Sequence, residues 1–279
     1  MDDLRNLYNP DGSSLRRDQL ELLRMLLVVS EICKRNGILW WLSSGTLLGA
    51  ARHNGFIPWD DDIDIVLLKE DYDKLERILC EMNSDEFVFH CQKTDVEYVN
   101  EFGKFRKKLG RINSKSKRYN YYKWAGIGLD IFAIEKTNRL SAVLADFITK
   151  SFNSLTYRIG NSFFRRRLIR CFQFILHFFI YPCLRVMGRI NPKGEFHYVL
   201  GTGWPKHTFF MKYTFPISWM MFEGVLMPVP KDVDSYLSNV YGDWMHLPSR
   251  DAILRSIHCE EYKKEILSRI HNPNGIIQA

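Results

Sequence analysis

Metal-finger and disulfide spacings are missing from this sequence of 279 residues. Its six cysteines, at positions 33, 80, 91, 171, 183 and 259, form no CxxC pair, and no histidines stand at finger spacing. A structural zinc site and a disulfide framework are thereby disfavoured, and a reducing compartment is expected. Internal repeats and low-complexity linkers are also absent. At 46% apolar and 25% charged residues, the composition is that of a folded globular chain, not a disordered, collagen-like or coiled-coil one. The first residues, Met1-Asp2-Asp3, lack the basic character of a secretory signal, and the first apolar run carries Glu21 and Arg24; a cytoplasmic location is expected. The net charge of +7, from 39 Lys and Arg against 32 Asp and Glu, suits nucleic acid, anionic lipid or a phosphorylated small molecule, and only its distribution can choose.

Apolar residues recur at helical spacing from Asp18 to Asn36 (Leu22, Met25, Leu26, Val29, Ile32, Cys33), with Asp18 as the expected N-cap and Gly37 as the stop. Ile38 to Leu42 reads as a short buried strand. The small-residue turn Ser43-Ser44-Gly45-Thr46 follows, then a helix to His53. The segment from Asp60 to Leu68 reads as a strand. Alternation would place Asp60, Asp62 and Asp64 on one face and Ile63 and Ile65 in the core. Asp71 to Met82 reads as a helix; Phe87-Val88-Phe89, Tyr98 to Arg106 and Gly128 to Ile134 read as strands, the last with Asp130 in apolar surroundings. Beyond Glu135 the chain becomes helix-rich and aromatic, then Gly/Pro/Trp-rich from Asn191 to Pro230, with two helices near its end. The expected class is α/β (α+β), with residues 1–135 as the core and a helical, partly irregular region, 136–279, packed on it.

Three aspartates on one strand face repel one another. A solvated Asp-rich turn is the plain explanation; a hard-cation site is the functional one, since carboxylate oxygens suit Mg²⁺ completed by substrate phosphates. The turn Ser44-Gly45-Thr46 opens a helix, whose free N–H groups can bind phosphate oxygens.

The run from Ser43 through Leu47-Leu48-Gly49-Ala50-Ala51-Arg52-His53-Asn54-Gly55-Phe56-Ile57-Pro58-Trp59 to Asp60-Asp61-Asp62-Ile63-Asp64 resembles the hallmark of the LicD family, within the nucleotidyltransferase superfamily. Gly128 to Ile134 resembles the family's LDIFP strand, with Ala133 where proline is common and Glu135 where aspartate is frequent. Phe222-Glu223-Gly224, Val229-Pro230, Tyr236-Leu237, Tyr241-Gly242-Asp243-Trp244-Met245 and Arg255 with His258 resemble its carboxyl-terminal pattern; the segment from Lys136 to Asn191 departs most.

The resemblance implies a nucleotidyltransferase-like mixed sheet flanked by helices. It also implies a phosphotransferase that moves a phospho-alcohol from a CDP-activated donor to a hydroxyl of a cell-surface or lipid-linked glycan. Asp60, Asp62 and Asp64 would hold Mg²⁺ or Mn²⁺. Asp62, Asp64 and Asp130 would be catalytic, and His258 would serve as a base or acceptor contact. Ser44, Gly45, Thr46, Lys104 and Arg106 would bind the donor. The alternatives are a nucleotidyltransferase passing NMP to a small acceptor, and a non-catalytic glycan- or lipid-binding relative. For Trp40, Trp41 and Trp59 packing is the simpler role, although Trp59 could stack on a base; Asp243 could cap a helix, and Cys259 has no visible base partner.

Position resolves the basic excess. Lys104, Arg106, Lys107, Lys108, Arg111, Lys115, Lys117, Arg118 and Lys123 lie between Glu101 and Asp130 with no acidic residue among them. Period two places Lys104 and Arg106 on one strand face beside the inferred site; Lys115 to Arg118 read as a solvated loop. Tyr119, Tyr121, Tyr122 and Trp124 interleave aromatics, but no helix-turn-helix, RRM or zinc signature accompanies them, and no nucleic acid is expected as a partner. A second basic cluster, Arg165-Arg166-Arg167, Arg170, Arg185, Arg189 and Lys193, frames the apolar stretch Cys171 to Leu184. That stretch is shorter than the roughly 20 residues of a spanning helix, and Pro182 is expected to break it. It reads equally as a core helix or, over 163–189, as a peripheral contact with the inner face of the cell membrane.

Overall fold

The computed structural model describes residues 2–112, 117–257 and 259–271. In chain order the elements are α1 (Asp2–Tyr8), α2 (Ser14–Arg35), β1 (Trp40–Leu42), α3 (Ser44–His53), β2 (Asp64–Leu68), α4 (Lys69–Glu81), β3 (Phe87–His90), β4 (Gly103–Lys107) and β5 (Gly128–Lys136). They continue with α5 (Arg139–Thr156), α6 (Ser162–Ile175), a π-turn (Leu176–Ile180), α7 (Tyr181–Gly188), β6 (Phe196–Tyr198) and α8 (Met211–Thr214). The chain closes with β7 (Ser218–Phe222), β8 (Val225–Val229), α9 (Val233–Tyr241), α10 (Arg250–Ser256) and α11 (Glu260–His271).

The strands form the expected mixed sheet, in the order β1-β2-β5-β4-β3, with β6 added along the end of β5. Among the described strands of this sheet, only β2 and β5 pair in parallel. Their cores, Ile65-Val66-Leu67 and Leu129 to Ile134, are buried throughout, as a pair flanked by strands and covered by helices requires. Helices α2 and α4 pack on β5. The apolar row of α2 (Leu22, Met25, Leu26, Val29, Cys33) is fully buried, and each large side chain of that kind contributes roughly 1.5–3 kcal/mol.

Helix α2 starts earlier than the sequence suggests. Ser13, not Asp18, is its cap, with Oγ accepting from Arg16 N at 3.1 Å. Asp18 lies inside the helix and accepts from the Tyr262 hydroxyl of α11. The strand expected from Asp60 begins only at Asp64, because a turn (Asp60 N to Ile57 O, 2.9 Å) and a contact from α2 (Gln19 Nε2 to Asp60 O, 2.8 Å) occupy the preceding backbone. The strand expected from Tyr98 starts at Gly103, since Tyr98 N closes a turn on Asp95 O at 3.0 Å.

Pro182 does not break its helix. A π-turn just before it absorbs the lost N–H, and Ser162–Gly188 runs as one helix of 27 residues. By length and composition alone that helix could cross a membrane, yet it is pinned to the sheet region. Arg165 pairs with Glu97, the Tyr181 hydroxyl donates to Glu101 Oε1 at 3.1 Å, and Arg185 pairs with Glu135 at 2.8 Å. Glu135, in the position where aspartate is frequent in the resembled pattern, thus anchors α7 and also accepts from Leu200 N at 3.1 Å.

Burial raises the pKa of Glu101 to about 7, against the hydrogen bonds that favour its charged form. The folded chain therefore holds this proton more tightly than the unfolded chain. The stability contributed by this group is full below the unfolded value of 4.5 and is lost as pH rises through about 7. Glu101→Gln is expected to flatten that decline, leaving the variant at least as stable as the parent at pH 8; parallel denaturant titrations at pH 5 and pH 8 would measure it.

Candidate active site

The loop carrying the aspartates is clamped from distant parts of the chain. Asn54 takes the left-handed conformation that closes α3. The β7–β8 turn, with φ positive at both Glu223 (51°) and Gly224 (79°), then meets the loop. Glu223 N donates to Asn54 O at 3.0 Å, and the Glu223 carboxylate accepts from Phe56 N at 3.1 Å and from Arg16 Nη2 at 2.7 Å. Trp59 is buried edge-on against Tyr8 and His53, a packing role. At the far side Cys259 N donates to Asp61 Oδ2 at 3.2 Å, and Asp130 N donates to Ile63 O at 2.7 Å.

Thr46 is 2% exposed, and its Oγ1 accepts from Asp64 N at 2.8 Å. It fixes the first residue of β2 from the first turn of α3. Ser44 has φ of +48° and its hydroxyl lies 3.4 Å from the Tyr198 hydroxyl; Ser43 meets the Tyr236 hydroxyl at 3.0 Å. A Cβ on Gly45 would fall 2.6 Å from Asp60 Oδ2, so glycine there lets the carboxylate settle against the start of α3, where the helix dipole favours an anion. Gly45→Ala is expected to push Asp60 aside and cut turnover about tenfold or more, with unfolding little changed, because the displaced atom ends a side chain rather than belonging to backbone; turnover and a thermal melt on one preparation would check both.

Carboxylate oxygens of Asp60, Asp61 and Asp62 lie within 4.8 Å of one another. Beside them the sheet register forms a row: Asp64 is opposite Asp130, and Asp130 is opposite Lys104. The convergence read from strand alternation therefore exists, with a different construction. Asp60 and Asp62 come from the loop, and Asp64 and Asp130 from the paired strands. Burial first, then the charges of Asp62 and Asp61, raises the Asp60 pKa well above the carboxylate range; burial, then Asp62, Asp130 and Asp60, does the same to Asp64. The Lys104 ammonium pairs with Asp130; burial pushes the lysine pKa down, but the charge of Asp130, the nearby Tyr119 and the Asp130 hydrogen bond together leave it raised.

Arg106 is 1% exposed, donates to Gly126 O at 2.7 Å and lies over the Tyr119 ring at 5.2 Å. It holds the segment before β5 in place, and a Cβ at Gly128 would strike its side chain at 2.6 Å. Lys104 and Arg106 nevertheless line a common cavity of 920 Å³, together with Tyr119, Tyr122, Trp204 and Lys206. His258 and Lys115 lie outside the described residues. Asp243 follows α9 and caps none of the described helices.

Short-range reading missed Arg16, Gln19 and Thr46 as positioning residues. The Phe222-Glu223-Gly224 pattern was the sequence signal for the partner of Arg16, and the aspartate block for those of Gln19 and Thr46. An all-oxygen set of crowded carboxylates, in which burial and then neighbouring negative charge disfavour the ionised forms of Asp60 and Asp64, is what a hard divalent cation relieves, so the residues present fit Mg²⁺ or Mn²⁺.

Residues 37–157 match the LicD/FKTN/FKRP nucleotidyltransferase domain. The lipopolysaccharide cholinephosphotransferase LicD of Haemophilus influenzae is 24% identical over 256 residues, covering 85% of this chain and 94% of that protein. The human ribitol 5-phosphate transferase FKRP is 48% identical over 42 residues, 15% of this chain and 8% of that protein. An uncharacterised protein of Rickettsia prowazekii is 47% identical over 60 residues, 22% of this chain and 23% of that protein.

Proposed function

We propose that this chain, whose residues 37–157 match the LicD/FKTN/FKRP nucleotidyltransferase domain and which is similar over most of its length to a cholinephosphotransferase, is a phosphotransferase that moves a phospho-alcohol, of the phosphocholine or ribitol phosphate kind, from a CDP-activated donor to a glycan hydroxyl. The observation that carries this reading is the row Asp64, Asp130, Lys104 across three strands, beside the Asp60–Asp62 loop cluster. Asp60, Asp62 and Asp64 would hold Mg²⁺ or Mn²⁺, which supplies charge neutralisation for the donor pyrophosphate.

The chain's own residues do the rest. Lys104 stands between Asp130 and the 920 Å³ cavity, where its ammonium can meet a donor phosphate oxygen as a point charge. Asp130, paired with that ammonium, would accept the proton of the attacking hydroxyl. The acceptor oxygen bonds to the phosphorus bearing the alcohol, the bond from that phosphorus to the bridging oxygen breaks, and CMP leaves with the electron pair. Trp204 and Tyr119 offer apolar faces for a base or sugar in the same cavity.

Incubating the purified chain with Mg²⁺, a glycan acceptor and CDP-choline, CDP-ribitol or CDP-glycerol in turn should release CMP with one of the donors. Pyrophosphate release from CTP, with no CMP from any CDP-alcohol, would replace this reading with nucleotidyl transfer. Lys104→Glu should weaken donor binding; unchanged affinity in a titration would remove Lys104 from the donor site.

A further inference from the structure

The helix Ser162–Gly188 has two unlike faces. Its inner face carries Arg165, Ile169, Leu176, Tyr181 and Leu184, all buried, and is fastened by the carboxylates of Glu97, Glu101 and Glu135. Its outer face leaves Phe174, Ile175, Phe178, Phe179, Val186 and Met187 between 40% and 67% exposed. Phe174 touches Phe178 with ring centroids 4.6 Å apart, so the exposed aromatics form a ridge rather than scattered residues. Only 22% of the helix's most apolar stretch is buried. Contiguous exposed apolar surface of this kind marks an interaction site.

Charge identifies the occupant. No Asp or Glu occurs from Phe147 to Gly194. Arg167 and Arg170 fall at helical spacing with Phe163 and Phe174 on the outer face, and Arg189 stands at its far end. All three are exposed, and none has a carboxylate partner among the described residues. Aromatics flanked by unpaired arginines on one face of a helix match the boundary of an anionic bilayer, where rings enter the acyl region and guanidiniums meet headgroup phosphates. The three inner anchors oppose a spanning arrangement, since they would have to break for lipid to surround the helix.

We propose that the α6–α7 helix is an interfacial membrane anchor, which lays its Phe174–Met187 ridge into the surface of an anionic phospholipid leaflet while its inner face stays on the sheet domain. This goes beyond the transfer reaction and stands or falls separately from it.

The test is flotation of the purified chain with vesicles of phosphatidylcholine alone, and with vesicles containing about one-third phosphatidylglycerol. The parent should float with the anionic vesicles, less so as salt rises. Phe178→Glu with Phe179→Glu should weaken binding about tenfold or more, and Arg167→Glu with Arg170→Glu should remove the preference for anionic lipid. Both double variants change exposed positions away from the aspartates, so unaltered circular dichroism and unaltered CMP release with a soluble acceptor certify the fold and the site. No flotation of the parent at low salt, or equal flotation of the Phe178/Phe179 variant, overturns the proposal. So does a dimer in light scattering that this variant dissolves, because a second copy then covers the ridge. Resistance of the vesicle-bound chain to carbonate extraction would overturn it in favour of a spanning helix.

Discussion

Asp64→Asn is expected to lower transfer by about three orders of magnitude or more, while thermal stability in the absence of divalent cations stays equal or rises. The two halves have one origin. Asp64 sits where burial and the charges of Asp62, Asp130 and Asp60 all disfavour its ionised form. The fold maintains this concentration of negative charge against its own interest, with Lys104 on Asp130 as the cation paired within the row. Removing one charge relieves repulsion. The backbone is untouched, because Asp64 N still donates to Thr46 Oγ1 and the β2–β5 pairing runs through main-chain atoms. Asparagine keeps the side-chain shape but supplies a neutral, weaker oxygen to a hard cation.

Melting curves in EDTA and in Mg²⁺, with turnover on the same samples, read all of this. The parent should gain stability from Mg²⁺, since a ligand that binds only the folded state raises the midpoint by mass action, and the variant should gain little. Near-parental turnover at saturating Mg²⁺ would take Asp64 out of the chemistry. A variant less stable than the parent in EDTA would make the carboxylate a structural group.

Legibility followed chain distance. The block from Ser43 to Asp64 is contiguous, and it announced both the acidic cluster and the small-residue turn before it. Strand identity was readable where apolar residues run together, as at Ile65-Val66-Leu67 and Ile131 to Ile134. Strand starts were not, because they depend on which backbone groups are already taken: the turn at Ile57 and the amide of Gln19 stop β2 from extending back to Asp60. The role of Thr46 was hidden for the same reason. A hydroxyl at the start of a helix looks like a phosphate ligand, and only three-dimensional placement shows it accepting from Asp64 N. Arg106 shares a strand face with Lys104, yet alternation cannot tell that one guanidinium is spent on Gly126 O and the Tyr119 ring. The anchors of α6 and α7 join residues far apart in sequence, such as Glu97 with Arg165 and Glu135 with Arg185, and no periodicity encodes such pairs.

The first of those anchors carries the largest expected stability effect. Arg165 Nε and Nη2 each meet the Glu97 carboxylate at 2.9 Å, the two side chains being 4% and 2% exposed. Arg165 Nη1 also donates to Ile159 O at 2.9 Å, and its guanidinium lies 4.0 Å from the Tyr121 ring centroid. Such a bidentate pair, once buried, is costly to break from one side, because the remaining charge has neither water nor a partner. Glu97→Ala should therefore cost about 3–5 kcal/mol, well above the usual effect of a point substitution. Replacing both members with apolar residues, Glu97→Leu with Arg165→Met, should cost much less, since no charge is then stranded. Denaturant unfolding of the two variants and the parent measures the difference, and equal losses would mean that packing rather than charge is being read. Amide exchange locates the damage. Glu97 holds the start of α6, whereas Glu101 and Glu135 still hold Tyr181 and Arg185. Protection should fall first over residues 163–170 and persist through α7 and through β2 and β5, so the single variant loosens one end of the helix while leaving Asp64 and Asp130 in register.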